Sequence, residues 1–187
     1  MHSELAKLSA SEAARRLLGC RLVRQLDGQA VAVIIVETEA YDQTDAASHS
    51  YNGRTQRTEV MFGQAGYLYV YFTYGMHYCC NVVVGSEGHG AAVLIRAVQP
   101  ISGTDIIARR RPRGGVELTN GPAKLCQALG IDMRMNGHDL AQPPFELVLT
   151  APLANESVAT TTRIGISKAK DVKWRYYIKG NDYVSGI

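Results

Sequence analysis

Arg21–Tyr41, RLVRQLDGQAVAVIIVETEAY, is the stretch that decides the fold. Two apolar runs flank Asp27-Gly28, a pair that tolerates positive φ and closes a tight hairpin turn. Two antiparallel strands are therefore expected, the second running into ETEAY, where carboxylates interrupt the apolar pattern. Toward the N-terminus, SASEAARRLLG (9–19) has helical apolar spacing, with Ser9 or Ser11 as a cap and Gly19 as a stop. Toward the C-terminus comes a polar stretch, Asp42–Gly66, without sustained periodicity; a loop this long usually carries function or is mobile. Tyr67–Gly85 is dense in aromatic and β-branched residues and is expected to be strand, bending where Tyr74 precedes Gly75. AAVLIRAVQP (91–100) predicts a third long strand ended by Pro100. GTDIIARRR predicts a short helix closed by Pro112, and LTNGPAKLCQALG (118–130) a clearer one, capped by Asn120, with Pro122 in its first turn and Gly130 at its end. FELVLT and the residues before Gly180 supply further short strands. Because strands follow one another without regular helical crossovers, the expected fold is α+β: a single mixed domain, residues 1–187, with a largely antiparallel sheet flanked by helices.

With 187 residues, 46% of them hydrophobic and 20% charged, the chain can bury a core and is not disordered. No apolar run approaches membrane-spanning length, and even VAVIIV (Val31–Val36) is strand-sized, so no membrane partner is expected. The opening MHSELAKLSASEAARRLL has amphipathic helix spacing and not the apolar block of a signal peptide, which predicts a cytoplasmic protein. A net charge of +3 permits a polyanionic partner without demanding one. Basic residues that could contact phosphates are Arg54, Arg57, the Arg109–Arg113 cluster, Lys168, Lys170, Lys173 and Arg175. The cysteines Cys20, Cys79, Cys80 and Cys126 lack zinc-site spacing, and buried, reduced thiols are expected. The histidines show no ligand spacing, so neither a metal nor another cofactor is expected.

Within ETEAY, strand alternation puts Glu37, Glu39 and Tyr41 on one face and Thr38 and Ala40 on the other. A carboxylate beside an aromatic at a strand end suits a general base next to a flat ligand. The same residues also suit a strand emerging into water, and exposed carboxylates are the commoner case. His49, taken alone, reads as a surface histidine. Tyr67, Tyr69 and Tyr71 share a face, and their hydroxyls favour a half-exposed surface over a core. Tyr74, at the bend, could project as a wedge. Arg96 lies inside an apolar strand and should have a carboxylate partner.

Taken together, VETEAY, ASHS-x-NGRT, GYLYVYFTYGMHYC-x-N, VLIRAVQP, LTNGPAKLCQALGI, HDLAQ, RIGI and WRYYIKG occur in an order that resembles the alkyladenine (3-methyladenine) DNA glycosylases of the type found in mammals and bacteria. The resemblance runs from about residue 17 onward. It implies a mixed domain with a curved antiparallel sheet and a monofunctional enzyme acting on double-stranded DNA that carries damaged purines. It implies Glu39 as the general base that activates water, with Arg96 and the main-chain carbonyl of Ile164 helping to hold that water. Tyr41, His49 and Tyr71 would enclose the flipped base, Asn81 would act against guanine's exocyclic amine, and Tyr74 would fill the gap left in the duplex. A monomer is expected. Two other readings stay open on the residues alone: a lesion-binding protein that has lost catalysis, and an RNA-binding module that uses the aromatic strand.

Overall fold

A computed structural model describes residues 1–73 and 75–186. Its helices are α1 (His2–Leu5), α2 (Ala10–Leu17), α3 (Thr104–Arg110) and α4 (Pro122–Ala128). Its strands are β1 (Arg21–Leu26), β2 (Gln29–Asp42), β3 (Leu68–Thr73), β4 (His77–Val83), β5 (Ala91–Ser102), β6 (Phe145–Val148), β7 (Val158–Thr161) and β8 (Arg175–Ile178). Asp27 and Gly28 take φ of 51° and 77°, and so turn β1 back onto β2 in register from Leu26↔Gln29 to Arg21↔Ile34. Every pairing is antiparallel, in the order β3-β4-β5-β2-β1-β6. The α+β class and the antiparallel sheet expected from the sequence are what the chain adopts.

β2 is long enough to serve three neighbours. Its first half pairs with β1, Glu37–Glu39 pair with β8, and its other edge runs along β5. β8 in turn carries β7. The alternation of side chains sorts the two faces. Val31, Val33, Ile35, Ala40, Val70, Cys80, Val82, Val93 and Ile95 join the main core together with Ala13, Ala14 and Leu17 of α2 and Leu125 and Cys126 of α4. Ser9 caps α2 reciprocally with Glu12, and the Thr38 hydroxyl donates to the Ala14 carbonyl at 2.8 Å, fastening α2 to the middle of β2.

The opposite face carries a transverse row. Tyr69 pairs with Asn81, Asn81 with Leu94, Leu94 with Glu39 and Glu39 with Arg175, so five strands bring five residues from distant parts of the chain into line. Beside this row the β2/β5 register slips: Ile35 faces Val98, Glu37 faces Ala97 and Thr38 faces Ile95, leaving Val36 and Arg96 between pairs. Such an irregularity re-aims a side chain, and here it turns Arg96 toward two glutamates.

Several local expectations need correction. β5 continues through Pro100 to Ser102, because a second slip at Ala32/Val33 spares the proline a ladder bond. α4 begins at Pro122 after Gly121; Asn120 does not cap it but donates to Glu117 and accepts from Lys124. Tyr69 is buried, not half-exposed, since Met61, Phe62, Val83 and Ala92 close a second apolar cluster over it. The 42–66 stretch contains two 3-10 turns, His49–Asn52 and Glu59–Phe62. The strand β7 was not foreseen. Tyr74, the expected wedge between β3 and β4, lies outside the described residues.

The 42–66 segment is pinned to the sheet at Gly90. Ser50 Oγ donates to its carbonyl at 2.7 Å, and its N–H donates to Gln43 Oε1 at 2.8 Å. A Cβ there would stand 2.6 Å from Phe62 Cζ and 2.7 Å from Ser50 Cβ. Gly90→Ala is therefore expected to destabilise the fold by about 1–3 kcal/mol through overpacking. Urea denaturation measures it, and an unchanged midpoint would show that this loop is loosely held.

Candidate active site

The carboxylates at the end of β2 are not solvated. Glu37 and Glu39 are both 0% exposed, which rules out the emergent-strand alternative for ETEAY. A buried carboxylate is costly unless its oxygens are occupied. Glu39 Oε1 accepts the Ile164 N–H at 2.7 Å and lies 3.3 Å from Arg96 Nη1, while Oε2 accepts the Tyr41 hydroxyl at 2.8 Å. Among the described residues each oxygen thus accepts one hydrogen bond, Arg96 adds an ion-pair contact at Oε1, and Oε2 keeps an acceptor position.

The three groups that hold Glu39 line one cavity of about 480 Å³, together with His49, Tyr69, Tyr71, Cys79 and Asn81. The sheet supplies its floor. Ala46, Ala47 and His49 come from the long loop, and Ile164 to Lys168 come from the segment before β8. The structure thus brings together Tyr41, His49, Tyr71, Asn81, Arg96 and Ile164, with Glu39 directly behind the wall. Arg96 is 7% exposed and reaches both glutamates, Nε–Glu37 Oε1 being 3.1 Å. Burial disfavours its charge, but Glu39 and Glu37 together outweigh burial, and its pKa is raised.

Tyr41 is held as a neutral phenol: burial, then the charge of Glu39 beside its oxygen, pushes its pKa up. Burial also raises Tyr71, and it pushes the Cys79 thiol up to about 11. Asn81 donates Nδ2–H to the Tyr69 carbonyl at 3.2 Å, which fixes the amide in the floor. The main chain of Ile164 meets Glu39 through its N–H.

His49 sits edge-on to Tyr71, ring centroids 4.6 Å apart at 84°, with Nδ1 3.0 Å from the Tyr69 hydroxyl and Nε2 3.4 Å from Arg57 Nη2. A guanidinium only donates, so Nε2 is the acceptor and Nδ1 carries the proton toward Tyr69. Packing against the two tyrosines, then Arg57, lowers its pKa from 6.5 to about 4.

The basic residues divide. Lys168 lies at the cavity. Arg57 stacks over Tyr71 at 5.7 Å, and Arg54 over Phe62 at 5.2 Å. Arg175 belongs to the interior: it is 5% exposed and its Nε donates to Glu37 at 2.6 Å, so it is not a phosphate ligand. The Arg109–Arg113 cluster contributes nothing to the cavity lining; Arg109 pairs with Asp105, and Arg110 lies 3.9 Å from Asp27 at the hairpin turn.

Sequence reasoning gave no role to Arg163 and Asp45. They form a buried ion pair, and Arg163 Nη1 also donates to the Ala40 carbonyl at 2.9 Å. The guanidinium lies 4.8 Å from the Tyr41 ring centre and 5.5 Å from Trp174. It therefore braces Tyr41 and carries the neighbouring Ile164 N–H to Glu39. The pair spans 118 residues of sequence, and no local pattern announces it.

The methylpurine-DNA glycosylase (MPG) family profile matches residues 4–182. A protein of Carboxydothermus hydrogenoformans is 53% identical over 176 residues, covering 92% of this chain and 91% of its own length. One of Methanoculleus marisnigri is 49% identical with the same coverage, and one of Francisella tularensis subsp. tularensis is 46% identical over 185 residues, covering 97% and 96%. All three bear the name "Putative 3-methyladenine DNA glycosylase". The chain belongs to the methylpurine-DNA glycosylase family. No helix among the described residues is long and apolar enough to cross a membrane.

The environment of His49 makes a direct prediction. Its imidazole should stay neutral down to about pH 5 and titrate near 4, followed by its ring Cε1–H shift in NMR. A midpoint near the ordinary 6.5 would mean that the ring is not packed against Tyr69 and Tyr71 in solution.

Proposed function

We propose that this protein is a monofunctional DNA glycosylase that removes alkylated or deaminated purines, 3-methyladenine among them, from double-stranded DNA. The observation that carries this is Glu39: a fully buried carboxylate, held on three sides by cavity residues, with one acceptor position left on Oε2. A water donating to that position is a nucleophile fixed beside a base, where proximity and general-base catalysis act together.

In this mechanism the damaged nucleotide is rotated out of the stack into the cavity, and Tyr74 occupies the gap. Tyr41, Tyr71 and His49 enclose the base. Neutral phenols and a neutral imidazole add no cation to the pocket, and aromatic faces favour a purine made cationic by alkylation. Asn81 stands in the floor where it acts against guanine's exocyclic amine. The water oxygen then bonds to the anomeric carbon. The N-glycosidic electron pair leaves with the purine, and the water proton passes to Glu39. Arg96 and the Ile164 main chain keep Glu39 and the water in place. A purine made cationic by alkylation departs neutral, so one carboxylate suffices; a deaminated purine, uncharged in the duplex, must also take up a proton as it leaves. The reaction draws on the protein's own side chains and main chain, in a monomer, with no cofactor.

The test is release of 3-methyladenine from methylated duplex DNA by wild type and Glu39→Gln side by side. Wild type should release the base, and the variant should lose about 10²–10⁴-fold in rate while still binding the lesion duplex. Binding without release by both proteins would instead identify a lesion-binding protein. Borohydride should trap no protein–DNA adduct, because a water-only mechanism passes through no Schiff base; a stable adduct would overturn it.

A further inference from the structure

Glu37 takes no part in the mechanism above, yet its buried carboxylate accepts four hydrogen bonds from three residues, Arg96, Arg175 and Ser185. Oε1 accepts Arg175 Nε at 2.6 Å, the Ser185 hydroxyl at 2.9 Å and Arg96 Nε at 3.1 Å. Oε2 accepts the Ser185 N–H at 2.6 Å. Ser185 is itself held there, its hydroxyl 3.4 Å from Arg96 Nη2 and its carbonyl 3.4 Å from Arg175 Nη2. All four charged side chains of this group, Glu37, Glu39, Arg96 and Arg175, are at least 93% buried.

The chemistry of the group is a balance of two anions against two cations. Arg96 touches both glutamates, and it is the cation nearest Glu39. Whatever draws Arg96 toward Glu37 relieves Glu39 of positive charge and leaves it a better proton acceptor; whatever weakens Glu37 gives Arg96 wholly to Glu39. The remaining charged or titratable groups that face Glu39 are Tyr41 on its own strand, Cys79 on β4, Arg175 on β8, and the Arg163–Asp45 pair behind Tyr41. Tyr41 and Cys79 are neutral around pH 7 and Arg163 is neutralised by Asp45. Glu37 and the two arginines are thus the charges left to tune it.

We propose that Glu37 is a positioning residue that, anchored by Arg175 and Ser185, shares Arg96 with Glu39 and thereby sets the basicity of the catalytic carboxylate, a role that rests on Glu39 being the base. The same anchoring draws the 185 segment into the network, so that a backbone amide from the last residues described serves a site built mainly on β2.

The test is the pH dependence of single-turnover 3-methyladenine release from methylated duplex DNA, corrected for uncatalysed loss. Glu37→Gln removes an anion and frees Arg96 for Glu39. The acid limb should move down by about one pH unit, and the plateau rate should fall about tenfold as the base weakens. Arg175→Gln removes a cation, so its acid limb should move up. Glu37→Asp keeps the charge and should leave the limb where wild type has it. Binding of the lesion duplex should persist in all three. Opposite shifts for the two charge-removing variants support the proposal, because a loosened fold cannot produce them. Should either fail to fold, a limb displaced in Glu37→Asp, or left in place by the surviving charge-removing variant, overturns it. Equal loss at every pH also overturns it. Retained activity in Glu39→Gln would instead remove Glu39 as the base, a failure that the Glu37 variants do not imitate.

Discussion

Two carboxylates two residues apart on one strand, both buried, are the constraint around which this molecule is organised. Each would be intolerable alone in a low-dielectric interior. Glu37 and Glu39 are retained because Arg96 from β5 and Arg175 from β8 meet them there, and because backbone amides of Ile164 and Ser185 occupy further oxygens. The branched sheet makes this possible. Only a strand as long as β2, paired with β5 on one edge and with both β1 and β8 on the other, can place arginines on both sides of one turn of alternation.

The same arrangement explains the division of the sheet into two faces. One is conventional core, where small residues of α2 lie close against β2 and Thr38 bonds across to Ala14. The other pairs a cavity with a charge network, and its aromatic residues serve both. Tyr69 is packed under Met61 and Phe62 yet offers its hydroxyl to His49, and Tyr41 lies against Arg163 while its hydroxyl holds Glu39. Rigidity in such a site comes from double duty: each ring is fixed by packing on one side and by a hydrogen bond at its tip. A preorganised pocket of this kind needs little reorganisation when charge develops.

Much of this was legible in the chain. Asp27-Gly28 announced its hairpin because positive φ is a local property, and ETEAY announced a shared face because strand alternation is fixed by backbone geometry. Arg96 announced a carboxylate partner because an arginine amid VLI and AV has few other ways to be stable. The illegible parts are those that depend on distance in sequence. Arg175 read as a surface cation because its neighbours include lysines, and only β8 pairing with β2 shows it buried on Glu37. Pro100 read as a strand end because its missing N–H is a local fact, whereas the register slip beside it, which leaves Ile101 between pairs, exists only once β5 lies against β2.

The sequence by itself determined the antiparallel α+β class, the residues that could carry chemistry and the family they resemble, since these follow from periodicity, turn preference and motif. Tertiary structure alone decided what those residues are to one another. It made Glu39 buried where exposed carboxylates are the rule, brought Arg163, Asp45 and Ser185 to the site without any local signal, and set Arg57 over Tyr71 and Arg175 in the interior. The reason is physical: a side chain's ionisation, tautomer and partners are set by the field and packing of atoms far away along the chain, and these exist only once the sheet has closed.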